Sequence, residues 1–306
     1  MSFATKAAFS VFELGWKCTR SLCGFSRHCN IPAANIVELD FTGRVMMEPK
    51  IVETIQDYER SILFAYFDSS LAHSFWRAQE LSLFKRASAL FERPILDFGC
   101  GDGSFSACIL DEIEYGVDID EAALSIAKGY GIYRRLLTFE EMTTELPTSS
   151  IAVVFSCSVL EHTADLRACI REIARVLKPG GRFHFSVPSP GFTEQMRQLI
   201  DKSFADAVNG FMFHRNLLSD TEWKSLLREH DLEVEYLDSF QAIEFTCEYF
   251  CLGLLGSRAV GQFLGLAAVR RLFWRFFRRS LLNKVAASVD HPVPNGANFF
   301  IRGVKM

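Results

Sequence analysis

The residues best suited to chemistry stand in "PILDFGCGDGSF", 94–105, where Asp97, Gly99, Gly101 and Gly103 alternate behind an apolar run. Glycine reaches backbone conformations closed to other residues and lets a ligand lie against bare main chain. An apolar strand that breaks into such a loop and then a helix is a ligand-binding edge of an open α/β sheet. The acid-tipped "GVDID" supplies Asp118, 19 positions after Gly99, a spacing at which a carboxylate takes the two hydroxyls of a ribose. Two ligand types fit this outline. A dinucleotide needs a third glycine at position 104, which is Ser104, and an acid inside the loop repels a pyrophosphate. Asp97 suits instead a ligand with a cationic amino group. Further on, "SCSVLEH" ends in Glu161 and His162, either of which could take a proton from an acceptor.

These residues need strands to hold them, and the periodicity supplies strands. "PILDF" reads as a short buried strand, "SFSACILDEI" as a helix, "EYGVDID" as a second strand and "EAALSIAKGY" as a helix with an acidic first turn. "IYRRLLTF" fits a third strand. "SIAVVFSCSVL" is apolar almost throughout, as in a strand buried on both faces. "ADLRACIREIARVLK" lines Leu166, Ile170, Ile173 and Leu177 on one helical face and stops at "PGG". "RFHFSVP" follows as a fifth strand, then "TEWKSLLREH" as a helix, "LEVEYLDSF" as a strand and "ANFFIRGVKM" as a last strand. Such alternation predicts a parallel sheet with helices on both faces. Residues 50–91 read as helical, and 188–218 and 241–296 as cover elements that interrupt the sheet.

Four ordered stretches, "ILDFGCGDG", "GVDID", "ELPTSSIAVVFSCSVLEH" and "EIARVLKPGGRFHFSVP", resemble the class I S-adenosylmethionine-dependent methyltransferases, in particular their small-molecule branch. The resemblance covers about residues 93–188. It implies an α/β fold, Rossmann-like and doubly wound, with a mostly parallel seven-stranded sheet. Around that sheet it leaves a helical N-terminal extension (1–90), a core at 91–240, a helical insertion (241–296) and a final strand (297–306). It implies S-adenosyl-L-methionine as cofactor. Asp97, Gly99, Cys100, Gly101 and Gly103 would wrap its methionine part, Asp118 would hold its ribose, Ile119 would lie on its adenine, and Ser156 would sit beneath it near the methyl group. The family usually has an acid five residues before the proline of "LP", beside the adenine amino group. Here that position is Met142, with Glu141 before it as the substitute.

Methyl transfer mainly asks the protein to align the acceptor and exclude water. A hydroxyl or carbon acceptor also wants a general base, for which His162 is placed best, then Glu161, with His214 in the first cover segment as a further candidate. The bland alternative is that His162 caps or packs the next helix. His184, inside a strand, reads as a satisfied core residue, and Cys100 as a small filler. Arg77 and Glu80 read either as an i, i+3 surface ion pair or as part of a helix closing over the cofactor.

Apolar residues make up 49% and charged residues 23% of the 306, proportions that allow a full globular core. A net charge of −4 gives no global field for nucleic acid, and "SCSVLEH" stands where a nucleic-acid methylase would carry Asn-Pro-Pro-Tyr. Nine cysteines without a paired spacing argue against a metal site and for a reducing, cytoplasmic setting. The first thirty residues carry Lys6, Lys17, Arg20 and Arg27 against Glu13 without a continuous apolar region, which favours a plain helical extension over an organelle transit peptide.

Leu252–Val289 holds seven basic residues and no acid. In "RRLFWRFFRR" the arginines take one half of a helical wheel and Leu272, Phe273, Phe276 and Phe277 the other. That is the pattern of a helix in an anionic membrane interface, of a cover helix with its arginines in water, or of a docking site for an acidic substrate. The expected acceptor is a small-molecule, lipid-linked or saccharide compound. A non-catalytic S-adenosylmethionine-binding or membrane-associated adaptor is the alternative.

Overall fold

The computed structural model describes residues 71–247 and 293–306. The compact unit treated below comprises Glu80–Thr246 and His291–Met306. The helical expectation for 50–70 and the basic segment 252–289 lie outside the described residues. Along the chain run α1 (Leu71–Ser88), β1 (Ile95–Phe98), β2 (Ile113–Asp118), α2 (Glu121–Ala127), β3 (Tyr133–Thr138), α3 (Phe139–Glu145) and β4 (Ile151–Cys157). There follow α4 (Leu166–Val176), β5 (Leu177–Pro188), α5 (Pro190–Leu199), α6 (Lys202–Phe211), α7 (Asp220–Arg228), β6 (Leu232–Phe240) and β7 (Asn298–Lys305).

The strands form one seven-stranded sheet in the order β3-β2-β1-β4-β5-β7-β6. The first five strands are parallel, and β7 runs antiparallel to both its neighbours. The order reverses between β1 and β4, and it is at the carboxyl ends of strands at such a point that open α/β sheets bind ligands. The glycine loop follows β1 and the Glu161–His162 pair follows β4. The topology thus brings together the two stretches that the sequence singled out.

Periodicity explains the core. Six of the seven β4 residues are buried, as a central parallel strand requires. α4 buries Leu166, Ile170, Ile173, Ala174 and Val176 against a core that includes Leu96, Val154, Phe183 and Trp223. Each such aliphatic side chain contributes roughly 1.5–3 kcal/mol by leaving water. On the other side α1 buries Leu81 and Phe84. The Phe84 ring meets Phe105 and Phe300 edge-on at 5.8 and 5.3 Å.

Local polar groups fix the helix ends. Asp120 caps α2, Asp165 caps α4, and Thr138 with Glu141 and Ser219 with Glu222 form reciprocal capping boxes on α3 and α7. At the far end of α4 the Lys305 ammonium donates to the carbonyls of Ala174 and Leu177, which satisfies acceptors a helix end leaves open.

Two local expectations are corrected. Of 104–113 only Ser106–Cys108 winds, as a single 3-10 turn, and Ile113 already opens β2. The cause is side-chain competition: Ser104 turns to Asp102 and Ser106 to Asp97, bonds that oppose helix continuation. The "KPGG" stretch is not a free turn either. Lys178–Gly181 lies within β5 at an irregular register against β4, with Gly180 at φ +77°. α5 and α6 occupy the 188–218 cover segment. Among the described residues no helix is long and apolar enough to cross a membrane.

Candidate active site

Beyond Phe98 the chain folds back at once: the amides of Gly99 and Cys100 both donate to the Val117 carbonyl, at 2.7 and 2.9 Å. Gly99 has φ +80°, and a Cβ there would fall 2.3 Å from a Val159 methyl carbon. That glycine serves close packing of the loop on the chain after β4. Gly101, at φ +53°, has no described residue within 4 Å of where its Cβ would be. Its backbone faces open space, as a ligand cradle requires. The Gly101 amide donates to Asp118 Oδ2 at 2.8 Å, and Asp118 Oδ1 accepts from the Asp120 amide at 2.9 Å. The carboxylate at the end of β2 therefore braces the loop and remains half-buried beside it. Ile119 next to it is 83% exposed, an aliphatic side chain held in water at the edge of the crevice.

Asp97 lies deep in the site, at 3% exposure. Its Oδ2 accepts from Ser106 Oγ at 2.5 Å and from the Tyr133 hydroxyl at 2.6 Å. Burial pushes its pKa up to about 7; the two hydroxyls pull it down, and the Asp118 charge adds to the rise. A carboxyl poised in this way gains most from a cation placed beside it. Neither Ser106 nor Tyr133 stood out in the sequence, because a serine in an expected helix and a tyrosine opening a strand carry no motif. Cys100 is buried, and burial together with Asp97 and Asp118 drives its thiol far above the nucleophilic range, which fits a filler. Ser156, at 1% exposure near the end of β4, has a hydroxyl with no hydrogen-bond partner among the described residues. Such a group is costly unless a partner arrives.

Two expected contacts change. Met142 is fully buried in the main core cluster, because its position on α3 faces the sheet and not the loop. Glu141 is exposed, and its carboxylate accepts from the Thr138 amide at 2.7 Å as half of the capping box. Its side chain therefore already has a local structural role.

On the other side of the crevice, Leu160–His162 form one 3-10 turn after β4. Glu161 is buried, at 2% exposure, while His162 is half-exposed with its Nε2 3.6 Å from Glu161 Oε1. The loop between α6 and α7 closes on this turn: the Arg215 and Asn216 amides donate to the Glu161 carbonyl, and the Asn216 side chain donates to the carbonyls of Leu160 and Thr163. This brings His214 against His162, ring centroids 5.5 Å apart. Phe213 between them and α6 is 70% exposed with φ +54°. Burial, and then the neighbouring His162, lower the His214 pKa to about 4, so its ring is neutral.

Glu80 is not a surface residue. It is fully buried and its Oε1 accepts from Ser158 at 2.6 Å and Ser186 at 2.8 Å, tying α1 to the ends of β4 and β5. His184 packs against Phe91 at 4.8 Å. It is buried but not satisfied: neither ring nitrogen has a hydrogen-bond partner. Burial, Arg302 and Arg182 hold its pKa near 3, so it stays neutral.

With this geometry in place the relatives are informative. Residues 96–185 match a family model described as a methyltransferase domain. A ubiquinone biosynthesis O-methyltransferase of Pseudomonas savastanoi pv. phaseolicola is 30% identical over 150 residues, 46% of this chain and 60% of the relative. A probable S-adenosylmethionine-dependent methyltransferase of Mycobacterium tuberculosis is 28% identical over 179 residues, 51% of this chain and 64% of the relative. The chain thus spans about 60% of the length of these curated relatives. Among solved structures, a Galdieria sulphuraria protein assigned as a sarcosine dimethylglycine methyltransferase has a TM-score of 0.51 at 15% identity. The match covers 81% of this chain and 98% of that one, and at that identity it speaks for the fold alone.

Proposed function

We propose that this chain, whose residues 96–185 match a methyltransferase-domain model, works as the class I S-adenosylmethionine-dependent methyltransferases do: it binds S-adenosyl-L-methionine and passes its methyl group to a small-molecule acceptor by in-line displacement. The observation that carries this reading is the pairing of an open glycine backbone at Gly101 with two carboxyls, Asp97 and Asp118, at the point where the strand order reverses. The residues fit the cofactor. Asp97 answers an ammonium group, Asp118 a pair of ribose hydroxyls, the bare Gly101 backbone a close-lying chain, and exposed Ile119 an adenine face. Ser156 offers its unpartnered hydroxyl from below.

Bound there, S-adenosyl-L-methionine supplies an electrophilic methyl carbon. The protein's part is alignment and water exclusion. Asp97 would hold the cofactor's ammonium group and Asp118 its ribose hydroxyls. Val159, packed on Gly99, carries the loop's position to the turn that bears Glu161 and His162. Those two residues, with His214 and exposed Phe213, form the acceptor side. The curated relatives' O-methyltransferase names support an oxygen acceptor, and the Phe213 ring supports one with an apolar body.

Calorimetric titration with S-adenosylhomocysteine, repeated with NADH, tests the reading. Micromolar binding of the first and none of the second is the expected result. Absence of S-adenosylhomocysteine binding overturns it. Binding without turnover of any phenolic, lipid or saccharide acceptor would favour the adaptor role instead.

A further inference from the structure

We propose that Glu161, His162 and His214 form a binding site for a divalent transition-metal cation, with Zn²⁺ the best match. Each offers one ligand atom, and the three atoms lie within 4.8 Å of one another. No cysteine takes part, which is why cysteine spacing in the sequence gave no sign of it. His214 lies far along the chain from "VLEH" and reaches it only through the loop after α6.

Three features prepare the cluster. The first is tautomer control. His162 Nδ1 lies 3.3 Å from the Phe213 carbonyl, which can only accept, so Nδ1 carries the proton and the lone pair is on Nε2. His214 Nδ1 lies 3.1 Å from Asn209 Oδ1, and Asn209 is oriented by its own donation to Thr193 Oγ1 at 2.8 Å. His214 therefore also carries its lone pair on Nε2. A second partner that holds the far N–H of each imidazole is the usual surround of metal-binding histidines. The second feature is the anchoring of Glu161: its backbone carbonyl accepts the Arg215 and Asn216 amides at 2.8 and 3.1 Å, which locks the two ligand-bearing segments together. The third is backbone strain. Phe213 holds a left-handed φ of +54°, a conformation unfavourable for a non-glycine residue. It presents its carbonyl to His162 in that state.

The donor set selects the ion. Two imidazoles and one carboxylate suit Zn²⁺ and its borderline neighbours, while Mg²⁺ and Ca²⁺ favour all-oxygen surrounds. Tetrahedral zinc with bonds of about 2.0–2.2 Å sets its ligand atoms about 3.4 Å apart, so loading draws the cluster inward. The His162 side chain is half-exposed. Three protein ligands leave a position open for an oxygen donor, water or the acceptor's hydroxyl, whose proton a bound cation weakens. In this arrangement His162 is a ligand and not a free base. That use of the open position rests on the methyl-transfer reading; cation binding does not.

The test uses the untagged full chain, stripped with a chelator and titrated with Co²⁺ by visible absorption, then with Zn²⁺ in competition. The expected result is saturable uptake of one cation, displaced by Zn²⁺ and not by excess Mg²⁺. His214→Gln should weaken affinity at least about tenfold, and Asn209→Leu about tenfold, while His230→Gln, away from the cluster, should leave it unchanged. Circular dichroism on each variant separates a lost ligand from a lost fold. No saturable uptake, uptake that survives His214→Gln in a folded variant, or a thiolate-to-cobalt charge-transfer band would overturn the assignment. A parallel S-adenosylhomocysteine titration keeps the two ideas apart. Uptake failing while the nucleoside binds sinks the metal site alone, and the reverse sinks the cofactor reading alone.

Discussion

Replacing Asp97 by Asn isolates the electrostatic design of the cofactor side. Asn keeps an oxygen to accept from Ser106 and Tyr133 and nearly the same volume, so the variant should fold. What it removes is a buried carboxyl whose pKa rises from an ordinary 3.8 to about 7. Between those values the folded protein holds a proton that the unfolded chain has released. Stability must therefore fall as pH rises through that window and level off above it. One pH unit inside the window corresponds to about 1.4 kcal/mol, so wild type should lose on the order of 3 kcal/mol between pH 5 and pH 8 through this group alone. Urea unfolding of wild type and Asp97→Asn at matched pH values subtracts every other titrating group. The variant should gain on wild type by that amount over the range, while its affinity for S-adenosylhomocysteine falls at least about thirtyfold from loss of a buried charge partner. In wild type that affinity should climb as pH passes 7, because the ligand's ammonium favours the ionised carboxylate. A stability difference that stays flat from pH 5 to pH 8 would refute the argument that burial dominates at Asp97.

Three further outcomes follow from the same geometry. Gly99→Ala should cost about 2–5 kcal/mol in urea unfolding, from left-handed strain plus the clash with Val159, whereas Gly101→Ala should cost about 1–2 kcal/mol and act mainly on cofactor affinity; equal stability losses would contradict the packing role given to Gly99. Asp118→Ala should weaken S-adenosylhomocysteine binding by about tenfold or more, since charged hydrogen bonds contribute roughly 1.5–3 kcal/mol, and should lower the thermal midpoint as the loop loses its two hydrogen bonds to the carboxylate; unchanged affinity by calorimetry would remove the ribose assignment. Glu80→Ala should destabilise more than Glu80→Gln, because Ala takes the carboxylate acceptor from the half-buried Ser158 hydroxyl and leaves buried Ser186 only the weak Cys157 sulfur acceptor; indistinguishable unfolding curves would show that the contact contributes nothing.

The sheet was readable because its signals are local. β4 announces itself by an unbroken apolar run, α4 by its stripe, and the β1–glycine–β2 passage by Asp97 to Asp118. Where side chains redirect the backbone, the reading failed: Ser104 and Ser106 look like helix residues until their acceptors, Asp102 and Asp97, are seen. The site was half readable. Glycines and acids at fixed spacing point to a ligand without any partner being known. Glu80 on Ser158 and Ser186, Tyr133 on Asp97, and His214 beside His162 each join segments far apart in the chain. No window of sequence holds both members of such a pair. Met142 and Glu141 show the converse: a family position was matched by number, but helix phase turned one side chain into the core and an N-terminal cap engaged the other.

The placement of β7 between β5 and β6 bears on how a nascent chain acquires this sheet. β5 and β6 leave the ribosome well before Asn298–Lys305, yet neither can hydrogen-bond to the other without it. Until then β5 exposes an open edge carrying Phe183, Phe185 and Val187, and β6 has no neighbour at all. An unpaired apolar edge is a template for other chains, and late, long-range strand pairing is slow. Folding during synthesis should therefore halt at a five-stranded intermediate that depends on chaperone shielding. Pairing of Asn298–Lys305 would then close the sheet and bring Lys305 onto the end of α4 in one step.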